Sequence, residues 1–182
     1  LEPDSDATSM TGYSVSSNIA KQAGEHWRGE LAGAITSPTY EVNDLGFSYR
    51  TDRRDAQLGV TYLQNKPGRH LRRWSQNTTL RSEHNYANEP ILSILGLNYS
   101  AQTLGYWTVR LGATRQFRSF DDRLTRGGPI AIRPRNDNAQ IAIASDGRLP
   151  VTGDLCLGAG TGEADNWFWT TSLGLGIKSS TR

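Results

Sequence analysis

A two-residue alternation of apolar and small polar side chains recurs through most of this 182-residue chain. It is clearest near the end, where bulky residues occupy odd positions from Trp167 to Ile177 and smaller or polar residues mostly occupy the even positions between them. Successive side chains of a β-strand point to opposite faces, so each such segment presents one apolar and one polar face. The polar positions are mostly Gly, Ser, Thr, Asn and Ala rather than the Lys and Glu of a soluble sheet. This pattern is typical of a wall between lipid and a polar interior.

The pattern predicts an all-β chain, folded as an antiparallel meander of long strands that forms an outer-membrane-type β-barrel or a segment of one. No segment carries the apolar stripe of a long helix. At least eight strands are expected, and the candidates are Thr11–Lys21, Glu25–Thr36, Leu45–Asp52, Ala56–Gln64, His70–Arg81, Ile91–Ala101, Tyr106–Phe117, Ala139–Ser145, Gly153–Gly160 and Trp167–Lys178. Several have ten or more residues, close to the ~9–11 that cross a bilayer at a tilt.

The connections between these segments are of two kinds. Tight turns are predicted at Ala23-Gly24, Arg53-Arg54 and Asp146-Gly147. Long polar connections are predicted at Ser37–Asp44, Asn65–Arg69, Ser82–Glu89, Ser119–Asn138 and Thr161–Asn166. The mixture favours a barrel with a short-turn side and a long-loop side. Aromatic girdles are expected near the strand ends, from Trp27, Tyr49, Tyr62, Trp74, Tyr99, Tyr106, Trp167 and Trp169.

Composition is compatible with this interpretation. Mean hydropathy is −0.58, but in a barrel only alternate strand residues meet lipid. The net charge of +2 gives no reason to expect nucleic-acid binding. Residues 1–182 are expected to form a single barrel domain or barrel fragment, with 1–10 as a flexible or linker segment. The last four residues, 179–182, lack the aromatic terminus expected of a complete bacterial barrel, so a longer protein is expected.

No catalytic, cofactor-binding or metal-binding residues are predicted. His26, His70 and His84 have no metal-ligand spacing, and Cys156 is the single cysteine. Carboxylates in the predicted loops are interpreted as solvated groups rather than calcium ligands: Asp121, Asp122, Asp137, Glu163 and Asp165. Strand arginines are expected to face a polar lumen and pair with carboxylates: Arg28, Arg72 and Arg110. The glycosylation-like triplets at Asn77 and Asn98 are discounted because both lie in predicted strands.

Two segments resemble a known bacterial family of unassigned function. They run from Glu41 to Arg53 (EVNDLGFSYRTDR) and from Phe120 to Pro129 (FDDRLTRGGP). Members of that family carry an N-terminal carbohydrate-binding module of the family-nine xylanase type and a long C-terminal region that looks like an outer-membrane barrel. The resemblance covers roughly Ser37 to Ile177, within the barrel part. It implies a barrel fold and no catalytic residues, and the binding module is absent from this chain.

Within the second segment, Gly127-Gly128-Pro129 predicts a turn. Arg123 and Arg126, beside Asp121 and Asp122, are expected to fold this loop over the barrel mouth through ion pairs.

The expected function is therefore that of a non-enzymatic barrel protein of the bacterial outer membrane, serving as membrane anchor or passage. Its expected partners are the lipid bilayer and further barrel strands or subunits, and Thr11–Lys21 or Trp167–Lys178 is expected to pair with a strand outside this chain. Two alternatives remain open. One is an enzyme with two well-placed carboxylates. The other is a soluble sandwich or jelly roll that binds glycan through tryptophan, the candidates being Trp27, Trp74, Trp107, Trp167 or Trp169.

Overall fold

The computed structural model describes residues 11–40, 50–125, 129–163 and 165–178. These residues form strands and connections, without a helix. The strands are β1 (Ser14–Lys21), β2 (Trp27–Thr36), β3 (Arg53–Gln64), β4 (Leu71–His84), β5 (Pro90–Thr103), β6 (Thr108–Gln116), β7 (Ser119–Asp121), β8 (Ala131–Arg133), β9 (Asn136–Ala144), β10 (Val151–Gly162) and β11 (Trp167–Ile177). The predicted all-β fold is confirmed.

Nine of the strands form one antiparallel sheet in the order β1-β2-β3-β4-β5-β6-β9-β10-β11, while β7 and β8 form a separate pair. The predicted meander of at least eight strands is therefore confirmed. Most strand bounds lie within a few residues of those predicted from the alternation, because alternation persists as long as a strand has two distinct faces.

Three predictions about the connections were wrong. Arg53-Arg54, predicted as a turn, begins β3 and pairs with Thr36 and Ile35 of β2. Of the predicted strand Leu45–Asp52, the residues from Arg50 to Asp52 lie outside any strand, and 45–49 are outside the described residues. The predicted loop Ser119–Asn138 contains β7, β8 and the start of β9. The described residues of all three segments lie at the end of the sheet. There, polar residues occur both in strands and in loops, so a polar sequence does not distinguish a loop from a strand.

The connections lie at two ends of the sheet because successive strands are antiparallel. The short-turn end carries the connections 22–26, 65–70, 104–107 and 145–150. The long-loop end carries 37–52, 85–89, 163–166 and the segment 117–135 that contains β7 and β8. Four of the five predicted long connections therefore lie at one end, whereas the fifth, Asn65–Arg69, lies at the short-turn end. At the short-turn end, Gly24 has a φ of 133°, which explains why glycine stands in the predicted Ala23-Gly24 turn.

The strands are progressively staggered across the sheet. A single line of cross-strand neighbours passes through Trp169 in β11, Leu97 in β5 and Lys21 in β1. Trp169 lies near the long-loop end of β11, whereas Lys21 is the last residue of β1 at the short-turn end. A cumulative stagger of this kind is what strand tilt produces in barrels.

The sheet is open in the described part of the chain. β1 pairs with β2 alone and β11 pairs with β10 alone, so each has one unpaired edge. Among the described residues the buried apolar side chains are few, namely Ile91 and Ala101. The sheet therefore has two broad faces and no conventional core between layers.

Candidate functional site

One face of the nine-stranded sheet is apolar across its whole width. Directly paired residues of neighbouring strands share a face, and a typical row contains Leu157 of β10, Ile141 of β9, Leu111 of β6 and Tyr99 of β5. The odd positions of β11 belong to the same face, through pairs such as Leu173 with Leu155. We call this surface the apolar face.

The apolar face is uncovered. Leu173 is 78% exposed in the last strand and Ile19 is 74% exposed in the first. Central strands contribute exposed residues as well, including Leu58, Leu80 and Leu97. Soluble monomers rarely expose a contiguous apolar patch larger than a few hundred Å². An uncovered apolar face on every strand of the nine-stranded sheet, from β1 to β11, is therefore unusual for a soluble monomer.

A row of aromatic side chains crosses the apolar face near the short-turn end. The ring centroids of Trp27 and Tyr62 are 4.9 Å apart, those of Tyr62 and Trp74 are 5.0 Å apart, and those of Trp74 and Tyr99 are 5.9 Å apart. The row thus joins β2, β3, β4 and β5. The sequence placed these four residues near strand ends, but only the register shows that they touch.

Aromatic residues also lie at the long-loop end. Trp167 and Trp169 begin β11 on the apolar face and are 73% and 67% exposed. The Tyr13 and Tyr86 hydroxyls are hydrogen-bonded at 2.9 Å, and this bond raises the pKa of Tyr86 to about 12. Tyr49, the remaining girdle candidate at this end, lies outside the described residues.

The opposite face is polar and rich in amides, hydroxyls and glycine. Asn77 donates a hydrogen bond to Thr61 Oγ1 at 2.8 Å, and its cross-strand neighbour is Asn98. A shallow groove of about 250 Å³ continues this surface over β5, β6, β9, β10 and β11, with Asn98, Thr114, Asn138, Gln140, Phe168 and Thr170 among its lining residues. We call this surface the polar face.

Glycines on the polar face leave room for side chains of the adjacent strand. A Cβ at Gly96 would lie 2.6 Å from Thr79 Oγ1, and one at Gly158 would lie 2.8 Å from Thr170 Oγ1. Both distances are shorter than real Cβ contacts. Side chains on this face therefore lie close against neighbouring backbone, an arrangement that any larger residue would disturb.

A buried ion-pair cluster lies at the long-loop end of the polar face. Arg50 donates to both carboxylate oxygens of Asp122, at 2.9 and 2.5 Å, and its Nε lies 3.3 Å from Glu83 Oε1. The Arg50 and Glu83 side chains are only 6% and 8% exposed. Burial acts to lower the pKa of Arg50, but the hydrogen bond and charge of Asp122, together with the charges of Glu83 and Asp52, raise the pKa overall. The guanidinium is thus a permanent cation linking the connection 37–52, β4 and the segment 117–135.

Most of the predicted loop carboxylates are held by arginines. Asp121 pairs with Arg133, Asp137 with Arg115, and Glu163 with Arg118. Backbone hydrogen bonds from Arg123 and Leu124, together with the Arg133 side chain, lower the pKa of Asp121. A hydrogen bond from the Arg135 backbone and one from Arg118 lower the pKa of Glu163. These acids therefore act as ion-pair partners rather than as free solvated groups.

The two aspartates of the FDDRLTRGGP segment are paired with arginines outside it. Asp122 forms an ion pair with Arg50, and Asp121 forms one with Arg133. Arg126 and the two glycines of the predicted turn lie outside the described residues. The partners were missed because sequence shows local charges but not which distant arginine the fold brings to them.

The strand arginines fall into two groups. Arg28 and Arg110 lie on the polar face, as predicted, but within the described residues neither forms the expected ion pair with a carboxylate. Arg72 lies at a register shift between Leu71 and Arg73, and it donates to the Tyr106 hydroxyl at 2.5 Å. The position of Arg72 is therefore set by a β-bulge, a feature that alternation in the sequence does not reveal.

The remaining candidates do not converge on one site. His26 stacks on Tyr62 with centroids 5.4 Å apart, while His84 lies at the far end of the sheet and His70 precedes β4. Cys156 is free and half-buried on the polar face. Within the described ranges there is no group of three or more His, Cys, Asp or Glu side chains suited to a metal ion.

No helix among the described residues is long and apolar enough to cross a membrane. The sequence was also compared with known families, curated proteins and solved structures. A family described as a domain of unknown function (DUF5916) matches residues 2–180. The chain belongs to the DUF5916 family. No curated protein and no solved structure matches this DUF5916 chain.

Proposed function

We propose that this DUF5916 chain is a segment of an outer-membrane-type β-barrel of a Gram-negative bacterium, with no enzymatic activity of its own. Its apolar face contacts lipid, and its polar face lines the interior. In this role the chain serves as a membrane anchor or as part of a passage for polar solutes.

The observation that carries the proposal is the continuous, uncovered apolar face on a sheet whose opposite face is polar. In a soluble protein the apolar face of a sheet is packed against a second layer. Here the apolar residues are the exposed ones, from Ile19 in β1 to Leu173 in β11. A barrel in a membrane has this inverted arrangement, with apolar residues outward and polar residues inward.

Strand length and aromatic placement support the same proposal. The nine strands of the main sheet have 8–14 residues, which brackets the ~9–11 needed to span a bilayer at a tilt. Aromatic residues mark both ends of the apolar face, as they do at membrane interfaces.

The unpaired edges of β1 and β11 support completion of the wall by other strands. An unpaired backbone group in lipid costs several kcal/mol, so each open edge favours pairing with a further strand. Further strands or partner subunits that pair with the free edges of β1 and β11 would remove that cost. The resemblance to a family with a longer barrel region supports further strands of the same protein.

The polar face favours passage over anchoring alone. Its central part carries amide and hydroxyl groups, such as Asn77, Asn98 and Gln140, which hydrogen-bond to water and polar solutes. The loop carboxylates that an enzyme would need are mostly held by arginines, as at Asp122 and Glu163. This supports a role without catalysis.

The test is to refold the chain with and without phospholipid vesicles and to follow tryptophan fluorescence and protease resistance. The proposal expects folding and protection only with lipid or detergent. A chain that is monodisperse and folded in plain buffer would contradict it. If such a chain bound glycans and lost binding in Trp74→Ala, the aromatic row would instead be the binding surface of a soluble carbohydrate-binding module.

A further inference from the structure

The short-turn end of the sheet carries an unusual arrangement around Tyr106. Two guanidinium groups lie against its single ring, with the Arg148 Cζ 3.3 Å and the Arg72 Cζ 4.5 Å from the ring centroid. The two arginines come from separate parts of the chain, Arg72 from the start of β4 and Arg148 from the connection between β9 and β10. The fold therefore brings two cations to one point.

Two local distortions of the backbone make this convergence. A register shift between Leu71 and Arg73 leaves Arg72 as the extra residue of a bulge, and bulges redirect side chains. Tyr106 has a φ of 64°, a left-handed conformation that is unfavourable for a bulky residue. Strain of this kind is concentrated at ligand-binding and other functional positions.

The charges at this point are not fully neutralised. Asp146 pairs with Arg148, and hydrogen bonds to Asp146 raise the pKa of Arg148. Arg72 donates to the Tyr106 hydroxyl, and in the described part of the chain no carboxylate lies within ion-pair distance of Arg72. Guanidinium groups in such a position can donate further hydrogen bonds to an anion.

The surroundings point to an anion at a membrane surface. Leu104, Trp107 and Leu149 lie beside this point in the same turns and are 45–51% exposed. All three lysines of the chain, Lys21, Lys66 and Lys178, lie at the short-turn end. The described acidic residues are concentrated at the opposite end, and four are at this one: Glu25, Glu30, Asp146 and Asp154.

We infer that Arg72, Arg148 and Tyr106 form a binding site for the phosphate of an anionic phospholipid headgroup, at the rim where the apolar face meets water. The inference rests on the proposed function, because it requires the apolar face to contact lipid. The two guanidiniums donate to the phosphate oxygens, while Leu104, Trp107 and Leu149 contact the upper part of the acyl chains. Basic residues near an anionic membrane surface attract its lipids.

The experiment uses the full chain refolded in phosphatidylcholine vesicles that contain pyrene-labelled phosphatidylglycerol, with energy transfer from tryptophan as the measure of affinity. The variant Arg72→Gln/Arg148→Gln removes both guanidiniums. The matched control, Arg28→Gln/Arg110→Gln, removes the same charge at the same end but from the polar face. We expect the rim variant to lose about tenfold or more in affinity for phosphatidylglycerol, and the control to lose less than about twofold.

Equal losses in the two variants would overturn the inference, since net charge rather than the site would then govern binding. Inorganic phosphate that competes as well as the lipid would also overturn it, because the ligand would be free phosphate. If Arg72→Gln/Arg148→Gln fails to fold, the single variant Arg72→Gln is compared in the same affinity measurement, because it leaves the Arg148–Asp146 pair intact. A chain that does not insert into either kind of vesicle would contradict the proposed function instead.

Discussion

Leu173 and Ser172 are adjacent in sequence, and they lie on opposite faces of β11. Leu173 pairs across the strands with Leu155, and Ser172 pairs with Cys156. At the residue scale, whether a position of β11 is odd or even therefore decides which face of the sheet its side chain is on. In the proposed barrel, the odd positions contact lipid and the even positions face the polar interior.

Arginine at these two positions should give opposite results. Leu173→Arg should lower the free energy of unfolding by roughly 2–4 kcal/mol if the residue lies near the midplane of the bilayer. Ser172→Arg should change it little, because the new side chain enters the polar interior. Urea unfolding of both variants in vesicles measures the difference, and equal costs would show that the two faces are not lipid and lumen.

The Arg50–Asp122 pair is the second residue-scale feature with a measurable consequence. Arg50→Ala leaves Asp122 and Glu83 without their shared cation in a buried place, which typically costs about 3–5 kcal/mol. Arg118→Ala is the matched control because its partner Glu163 is one-third exposed, and exposed pairs contribute about 0–1 kcal/mol. Chemical unfolding of both variants checks the expectation, and a loss for Arg50→Ala no larger than that of the control would refute it.

At the scale of the element, glycine allows neighbouring strands to pack closely, because it leaves space for side chains of the paired strand. β4 and β5 are the longest strands, with 14 residues each, and their pairing places Thr79 directly opposite Gly96. The Thr79 side chain occupies the space where a Cβ of residue 96 would be. The close approach of these two strands therefore depends on glycine at this position.

Gly96→Ala should destabilise the sheet by about 1–3 kcal/mol, because threonine is stiff and cannot move away from the added methyl group. Gly153→Ala in β10 should instead be neutral or stabilising by up to about 1 kcal/mol, since its Cβ would have 3.8 Å to the nearest atom and glycine costs entropy in a strand. Unfolding midpoints of the two variants give the comparison. A destabilised Gly153→Ala with an unaffected Gly96→Ala would contradict the packing described.

At the scale of the whole molecule, the decisive features are the stagger of the strands and the two open edges. The stagger runs in one direction from β11 to β1, as tilted strands of a barrel require. The outer edges of β1 and β11 have backbone groups without a strand partner in the described structure. The described sheet is therefore staggered and open at both edges, and the proposed barrel needs further strands to close it.

Hydrogen exchange should reveal these edges. In the chain refolded in detergent, amides of β1 and β11 should exchange faster than those of β5, which is paired on both sides. Addition of the segments that complete the barrel should slow exchange in β1 and β11 without changing β5. Equal protection of β1, β5 and β11 in the chain by itself would mean that β1 and β11 pair with each other.

The sequence by itself determined the fold class, most strand bounds and the assignment of side chains to two faces. All of these follow from the local geometry of a strand, in which side chains alternate with a period of two. The same local rule identified Trp27, Tyr62, Trp74 and Tyr99 as residues near strand ends.

Only the tertiary structure decided which residues meet. Cross-strand register joined the four aromatics into a row, brought Arg50 to Asp122, and placed Arg72 and Arg148 on one Tyr106 ring. Register depends on pairing between segments far apart in the chain and on single-residue events such as the bulge at Arg72. Such contacts depend on the combined geometry of all the strands, so they cannot be predicted from the alternation along the sequence.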